Sequence, residues 1–316
     1  MSKGIAGQRR GEWLELMPGK LNPPEHGGRY EAALVWLERE LVFPAKLLRT
    51  LDAEGGIKLA GDRLRLRLFP PENSQYPPAF TLSESVSSGR PDSSCPPVEI
   101  LYEDDFCLVV HKPAGVKVHP DGESREPTLA NLVSAIYSQR GEPVAPEHIH
   151  RLDEFTSGPV LYGKNAFARL KLDAAMARKE IGRVYVALVE GVVDPSLRVI
   201  DEPIGRDRHH ASRRRVSPRG KNAVTRVELV ETFPRASLVR VTLETGRTHQ
   251  IRVHMSHAGH PLIGDALYGG STRLLSHQAL HGESLAFPHP LTGETVLVED
   301  PWPDHWKPLR AKLLEP

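Results

Sequence analysis

His150-Arg151-Leu152-Asp153-Glu154-Phe155-Thr156-Ser157-Gly158 sets an acid between a basic residue and a Thr-Ser-Gly turn. Gly158-Pro159 ends the turn, and Val160-Leu161-Tyr162 then reads as a short buried strand. Asp153 therefore stands at a strand–loop junction, where a carboxylate can be held facing a cleft. The competing reading is an acid in a solvated turn.

On either side of this stretch the pattern is dominated by strands. Val98–Tyr102 and Phe106–Val110 flank the turn Glu103-Asp104-Asp105 and predict a hairpin. Thr128 caps a helix whose apolar face is Leu129, Leu132, Val133, Ile136 and Tyr137, and Gly141 stops it. Asn165 caps a second helix that turns Phe167, Leu170 and Ala174 inward and ends near Lys179. Arg183–Val189 is apolar on both faces, the mark of a central strand. Two further strands lie around Pro234, over 223–232 and 236–245. A helix from Thr248 to about Ala258 follows, with Thr248 as its cap. A terminal hairpin pairs Leu285–Phe287 with Thr295–Val298. Strands outnumber helices and neighbours are hairpin-connected, so residues 98–316 predict an α+β domain with a large, mostly antiparallel sheet.

Upstream, residues 29–69 form a small module of two helices (30–41 and 44–51) and two strands, Ile57–Leu59 and Leu64–Leu68. Residues 70–97 hold seven prolines and seven serines and read as a linker. Residues 1–28 lack periodicity and are expected to be loosely ordered or draped over another domain.

The chain has 316 residues, is 39% hydrophobic and 26% charged, and carries a net charge of +1. No apolar run reaches the length of a membrane span, so no membrane partner is expected. Cys95 and Cys107 are too few for a disulfide framework, no Cys/His zinc spacing occurs, and the N-terminus has no apolar signal region. A cytoplasmic location is the expectation. A net charge near zero gives no general affinity for nucleic acid, so any such partner must be held by local patches. One patch is 205–226, where eight Lys and Arg face Asp207 alone and Arg213, Arg214 and Arg215 are consecutive. It is either a solvated loop or a track for phosphates.

Three separated stretches, taken in order, carry a family resemblance. HRLD-x-x-TSG around Asp153, the strand Arg183-x-Tyr185-x-Ala187-x-Val189-x-Gly191, and Gly246-Arg247-Thr248-His249-Gln250-Ile251-Arg252-Val253-His254 resemble signatures of the RluA/RluD-type pseudouridine synthases. Lys112-Pro113-Ala114-Gly115 with Val118-His119-Pro120, Ala279-Leu280-His281, and His289-Pro290-x-Thr292-Gly293-Glu294 add to it. The chain departs at His111, Arg183 and Gly282, where the family usually has Asn, Lys and Ala. The upstream module is similar to the small RNA-binding module, named after a ribosomal protein, that precedes many such domains. Its usual basic helix is reduced to Lys46 and Arg49, so it reads equally as a structural appendage.

The resemblance implies an RNA isomerase needing no cofactor or metal, acting on ribosomal or transfer RNA. It implies that Asp153 is catalytic, that Arg252 is its ionic partner, and that Tyr185 stacks on the target base and is the candidate to take the carbon 5 proton. It assigns Arg151 to base extrusion, beside Phe155. With Thr156, Lys112, Arg247, His249, Arg213, Arg214 and Arg215, these are the expected substrate contacts. Arg247 and Arg252, five apart, point in different directions, so one can pair with the acid while the other meets a phosphate. The chemistry suits the set: the ribose carbon becomes electrophilic as the glycosidic bond breaks, and an ionised carboxylate can attack or stabilise it. No feature calls for an oligomer, and a monomer is the expectation.

Three alternatives compete. A non-catalytic RNA-binding protein on the same fold is opposed by the intact Asp153, Tyr185 and Arg252. A glycosidase would need a second carboxylate about 5–10 Å from Asp153. A zinc site at His254, His257 and His260 lacks an acid ligand, and Gly259 breaks the helix before His260.

Overall fold

The computed structural model describes residues 6–71, 98–120, 127–142, 144–145, 147–304 and 306–315. The expected linker and Cys95 therefore fall almost wholly outside the described residues.

The first unit is a four-stranded antiparallel sheet of β1 (Gly7–Arg10), β2 (Trp13–Leu16), β3 (Ile57–Ala60) and β4 (Arg63–Arg67), ordered β1-β2-β4-β3. Helices α1 (Arg29–Arg39) and α2 (Ala45–Ala53) join its two hairpins in the chain. This corrects the expectation of loose order for residues 7–16, while 17–28 form no helix or strand. Gly11, at φ 58°, turns a hairpin whose Leu14 and Leu16 are buried opposite Leu66 and Leu64. The strands are four residues long, too short for alternation to register as a period. The module is fused to the rest of the chain by a common apolar core. Phe43 stacks on Phe167 at 4.9 Å, Phe69 meets Phe106 at 5.6 Å, and Lys171 Nζ donates to the Leu41 carbonyl at 2.9 Å.

The second sheet, ordered β5-β6-β8-β7, comprises β5 (Ile100–Glu103), β6 (Cys107–Lys112), β7 (Glu147–His148) and β8 (Gly158–Gly163). The period of two along β6 divides its residues between two cores. Leu108 and Val110 pack on α3 (Leu129–Gln139). Cys107 and Val109 join α4 (Ala166–Ala177) and the first unit. Asn165 caps α4, accepting from the Ala168 N–H at 2.9 Å.

The third sheet has six strands: β9 (Gly182–Glu190), β10 (Val199–Asp201), β13 (Val224–Phe233), β14 (Ala236–Leu243), β15 (Leu280–Pro288) and β16 (Thr295–Glu299). They run β10-β13-β14-β9-β15-β16, with every named pairing antiparallel. The two-faced β9 is central as expected. Tyr185, Ala187 and Val189 pack toward α5 (Gln250–His257), while Val186 and Leu188 pack toward α6 (Trp306–Leu313). A short hairpin of β11 (Ile204–Arg206) and β12 (Arg214–Val216) stands apart from it.

The second and third sheets meet at a seam of bare backbone. Ser157 bridges His281, and the Gly282 N–H donates to the Ser157 carbonyl at 2.8 Å. Gly158 sits at φ 131°, and a Cβ there would lie 2.7 Å from Gly282 Cα. A Cβ on Gly282 would in turn meet Pro159 Cδ at 2.9 Å, a physical reason for Gly where the family usually has Ala. Gly158→Ala combines left-handed strain with a backbone clash. It should lower stability by about 3 kcal/mol or more, measured by urea unfolding.

Candidate active site

The seam lays the loop carrying Asp153 over β9 and the start of α5. The result is an open cleft of about 1180 Å³ whose lining includes Arg151, Asp153, Phe155, Tyr185, Arg247 and Arg252. Asp153 and Arg252, 99 residues apart, meet there: Arg252 Nη1 donates to Asp153 Oδ2 at 3.1 Å. The Arg252 side chain is 8% exposed and that of Asp153 is 25% exposed. The guanidinium is anchored on its other edge, where Nε and Nη2 donate to the two oxygens of Asp265 at 2.7 and 2.8 Å. Burial opposes its charge, but Asp265 and Asp153 more than offset this and hold it protonated. The Tyr268 ring covers it at 4.9 Å.

Tyr185 is 6% exposed at the cleft floor. Burial pushes its phenol up, Arg183 pulls it down and Asp153 pushes it up, with a net rise, so it is a neutral phenol at working pH. His249 Nε2 lies 3.9 Å from Asp153 Oδ2. Its Nδ1 is 2.8 Å from the Tyr268 hydroxyl, which also accepts from the Arg214 N–H at 2.9 Å. Burial drives the imidazole down and outweighs the pull of Asp153, so the ring is neutral. Tyr268 thus links His249 Nδ1 to the backbone of the β11–β12 hairpin, and His249 Nε2 faces Asp153.

The helix bearing Arg252 begins two residues later than the sequence predicts, and Thr248 is not its cap. His249 takes the N-cap position in a left-handed conformation, φ 57°. Gln250 folds back instead: its Oε1 accepts from the Arg247 N–H at 3.0 Å and from the Thr245 hydroxyl at 2.8 Å. Its Nε2 donates to the Val224 carbonyl and to Thr225 Oγ1 at 3.0 Å each. The two arginines do diverge, with Arg247 Nε donating to the Asn222 carbonyl at 2.9 Å.

Two expected substrate contacts are internal braces. Lys112 is 0% exposed, and its Nζ donates to the carbonyls of Pro113, Val116 and Glu154 at 2.9, 2.7 and 2.7 Å. Burial pushes its ammonium down to about 7, against the pull of Asp153 and Glu154. A group so enclosed ties the Lys-Pro-Ala-Gly turn to the Asp153 loop and cannot touch RNA. Thr156 is 2% exposed: its N–H closes the loop onto the Asp153 carbonyl at 3.0 Å and its hydroxyl accepts from Gln278 Nε2 at 3.3 Å.

Of the remaining expected contacts, Arg151, Phe155, Arg213 and Arg215 face solvent, while Arg214, Arg247 and His249 are half-buried. Phe155 is 43% exposed and stacks on His277, with centroids 5.6 Å apart and planes at 17°. Arg151 Nη1 lies 3.1 Å from His119 Nε2. Arg213 and Arg215 are exposed on the β11–β12 hairpin, and the Arg213 guanidinium lies 5.7 Å from the Tyr268 ring center. The hairpin and the Asp153 pair thus share Tyr268.

Sequence reasoning missed Asp265, Tyr268, Gln250 and His277. One signal was present: Gly264 and Gly269 bracket Asp265 and Tyr268, both at positive φ, and a Cβ on Gly264 would overlap the His277 carbonyl at 1.9 Å. Asp265 is also the second acid that a glycosidase would need, but both its oxygens are taken by Arg252 and its side chain is 1% exposed. Arg252, not a carboxylate, flanks Asp153. Two of the three histidines of the zinc alternative are spoken for as well. His254 bonds Thr225 Oγ1 and the Glu202 carbonyl, and His260 bonds the Glu190 carbonyl.

A family model described as RNA pseudouridylate synthase matches residues 106–257, a span containing Asp153, Tyr185 and Arg252. A Bacillus subtilis protein described as the uncharacterized RNA pseudouridine synthase YhcT is 45% identical over 214 residues, covering 67% of this chain and 71% of that one. Ribosomal large subunit pseudouridine synthase D of Vibrio cholerae is 37% identical over 233 residues, covering 69% and 72%. Among solved structures, human RNA Pseudouridylate Synthase Domain Containing 1 superposes with a TM-score of 0.55 at 27% identity, covering 65% of this chain and 83% of that one. The chain belongs to the RNA pseudouridylate synthase family: it is an isomerase that converts uridine in RNA to pseudouridine.

Proposed function

We propose that Asp153 is the catalytic carboxylate, Arg252 its charge partner and Tyr185 the base-facing aromatic, acting on uridines of ribosomal RNA. The observation that carries this is the 3.1 Å contact between Asp153 and Arg252 in an open cleft. A uridine leaves its stack and enters the cleft. Arg151 and the Phe155–His277 pair, exposed at the rim, occupy the space it vacates. The Asp153 carboxylate attacks or stabilises ribose carbon 1′ as the bond to nitrogen 1 breaks. Arg252 donates to the acid and sets a positive charge against it inside the cleft. The base rotates over Tyr185 and rejoins through carbon 5, which gives up a proton while nitrogen 1 gains one. A neutral Tyr185 phenol cannot take that proton unaided, so Asp153, once released from the sugar, is the better acceptor. Arg247, the exposed Arg213 and Arg215, and the half-buried Arg214 contact phosphates.

Ribosomal RNA is favoured over transfer RNA by the Vibrio cholerae relative, whose name specifies the large ribosomal subunit. The enzyme acts as a cytoplasmic monomer without metal or cofactor. The test maps pseudouridines by carbodiimide labelling and primer extension in RNA from cells lacking the protein, then in cells given back wild type or Asp153→Asn. The expected result is a ribosomal site lost on deletion and restored by wild type alone. A lost site confined to transfer RNA would overturn the substrate assignment, and restoration by Asp153→Asn would overturn the role of Asp153.

A further inference from the structure

We propose that Arg183 is a further catalytic residue, whose guanidinium stabilises the negative charge that uracil takes on as its bond to ribose breaks. The inference rests on Asp153 and Tyr185 acting as assigned above. When the bond between carbon 1′ and nitrogen 1 breaks, its electron pair stays with the base. The charge spreads over nitrogen 1 and the two ring carbonyl oxygens. Asp153 is an anion and repels it, and Tyr185 is a neutral phenol. Arg252 is committed to Asp153 and Asp265.

Arg183 is placed to meet that charge. It stands two residues before Tyr185 on β9, so the two side chains share one face of the strand, and both line the cleft. The guanidinium reaches Gly246, where a Cβ would lie 2.7 Å from Nη1 and 3.3 Å from Nη2. The bare glycine makes the room that the guanidinium occupies. The side chain is half-buried, its Nε is buried without a hydrogen-bond partner, and it forms no ion pair among the described residues. Of the acids lining the cleft, Asp153 pairs with Arg252 and Glu244 with Arg226, and Glu154 has no ion pair among the described residues. A buried donor left without an acceptor is costly, and an incoming anion relieves that cost. The charge of Arg183 is also felt where the base turns. After burial, which raises the Tyr185 phenol, Arg183 acts on it ahead of Asp153.

A backbone phosphate is the competing anion. The exposed Arg213 and Arg215 serve phosphates at the rim, whereas Arg183 lies on the strand over which the base rotates. Its planar fork suits the adjacent acceptors of a uracil anion. The contact strengthens while the charge develops. It relaxes once carbon 5 has joined the sugar and lost its proton and nitrogen 1 has gained one. No proton passes through Arg183. Such a contact lowers the barrier without tightening ground-state binding.

The test uses the full chain and a transcript containing the uridine identified by the mapping above. Single-turnover conversion at saturating enzyme is read beside affinity by fluorescence anisotropy. Arg183→Gln should lower the rate about 10²–10³-fold with affinity within about twofold of wild type. Arg183→Lys keeps the charge and should come within about tenfold of the wild-type rate. Thermal unfolding should hold, since no ion pair is lost. The same transcript with 5-fluorouridine at the target gives a second readout, its consumption after nuclease digestion. Fluorine makes uracil a better leaving group, so the deficit of Arg183→Gln should shrink severalfold. If Arg183→Gln fails to fold, Gly246→Ala displaces the flexible end of Arg183 and should lower the rate severalfold at unchanged affinity. An unchanged rate in the folded variant, or a deficit equal on both transcripts, would overturn the proposal. So would weakened affinity with a salt slope smaller by about one and an unchanged rate, the mark of a phosphate contact. Asp153→Asn in the same assay separates the two readings. If it is active, the role of Asp153 falls and Arg183 is judged on its own rates. If it is inactive while Arg183→Gln is fully active, Arg183 alone is removed.

Discussion

Asp153→Asn should bind RNA as wild type does and form no measurable pseudouridine, a loss on the order of 10⁴-fold or more in kcat. The substitution is nearly isosteric and removes only the charge. Asp153 is a quarter exposed and makes a single contact to Arg252, so the amide oxygen can still accept from Nη1. Arg252 keeps both bonds to Asp265. Thermal unfolding should therefore shift little. Single-turnover kinetics with saturating enzyme would separate chemistry from binding, and residual turnover within tenfold of wild type would remove Asp153 from the mechanism.

Arg252→Leu should be damaging in a second way. It removes the partner of Asp153 and also strands Asp265, whose side chain is 1% exposed and whose two oxygens have no replacement donors. An uncompensated buried carboxylate costs about 3–5 kcal/mol. The charge-free pair Arg252→Leu/Asp265→Leu should recover much of that stability, since replacing both members of a buried ion pair by apolar groups is often close to neutral. It should recover none of the activity, because Asp153 would still lack its guanidinium. Urea denaturation of the three proteins, read beside turnover, separates the structural from the chemical role. If the single variant is as stable as wild type, Asp265 is not held by Arg252 alone.

These residues differ in how far the sequence disclosed them. The continuous apolar run of β9 identified the central strand, and Asn165 marked the start of α4 through cap chemistry. Asp153 and Arg252 were paired through family wording, since no local pattern relates positions 99 residues apart. Asp265 and Tyr268 were overlooked because their surroundings are made by the fold: an acid in a Gly-bounded turn looks solvated until α5 packs over it. Lys112 misled for the opposite reason. The Lys-Pro-Ala-Gly wording suggested a substrate contact, and only tertiary structure reveals three carbonyls enclosing the ammonium. The late start of α5 likewise follows from the left-handed His249 and the Gln250 brace, neither of which helix propensity reports.

The common core of the first unit and the catalytic domain also has a metrical consequence. Phe43 on Phe167 and Phe69 on Phe106 leave the sheet no freedom to swing, in contrast to a module carried on a string. Anything held on that sheet lies at a fixed offset from the Asp153 carboxylate. The protein is thereby a single rigid frame, in which the first unit keeps one spacing and one angle to the acid of the cleft.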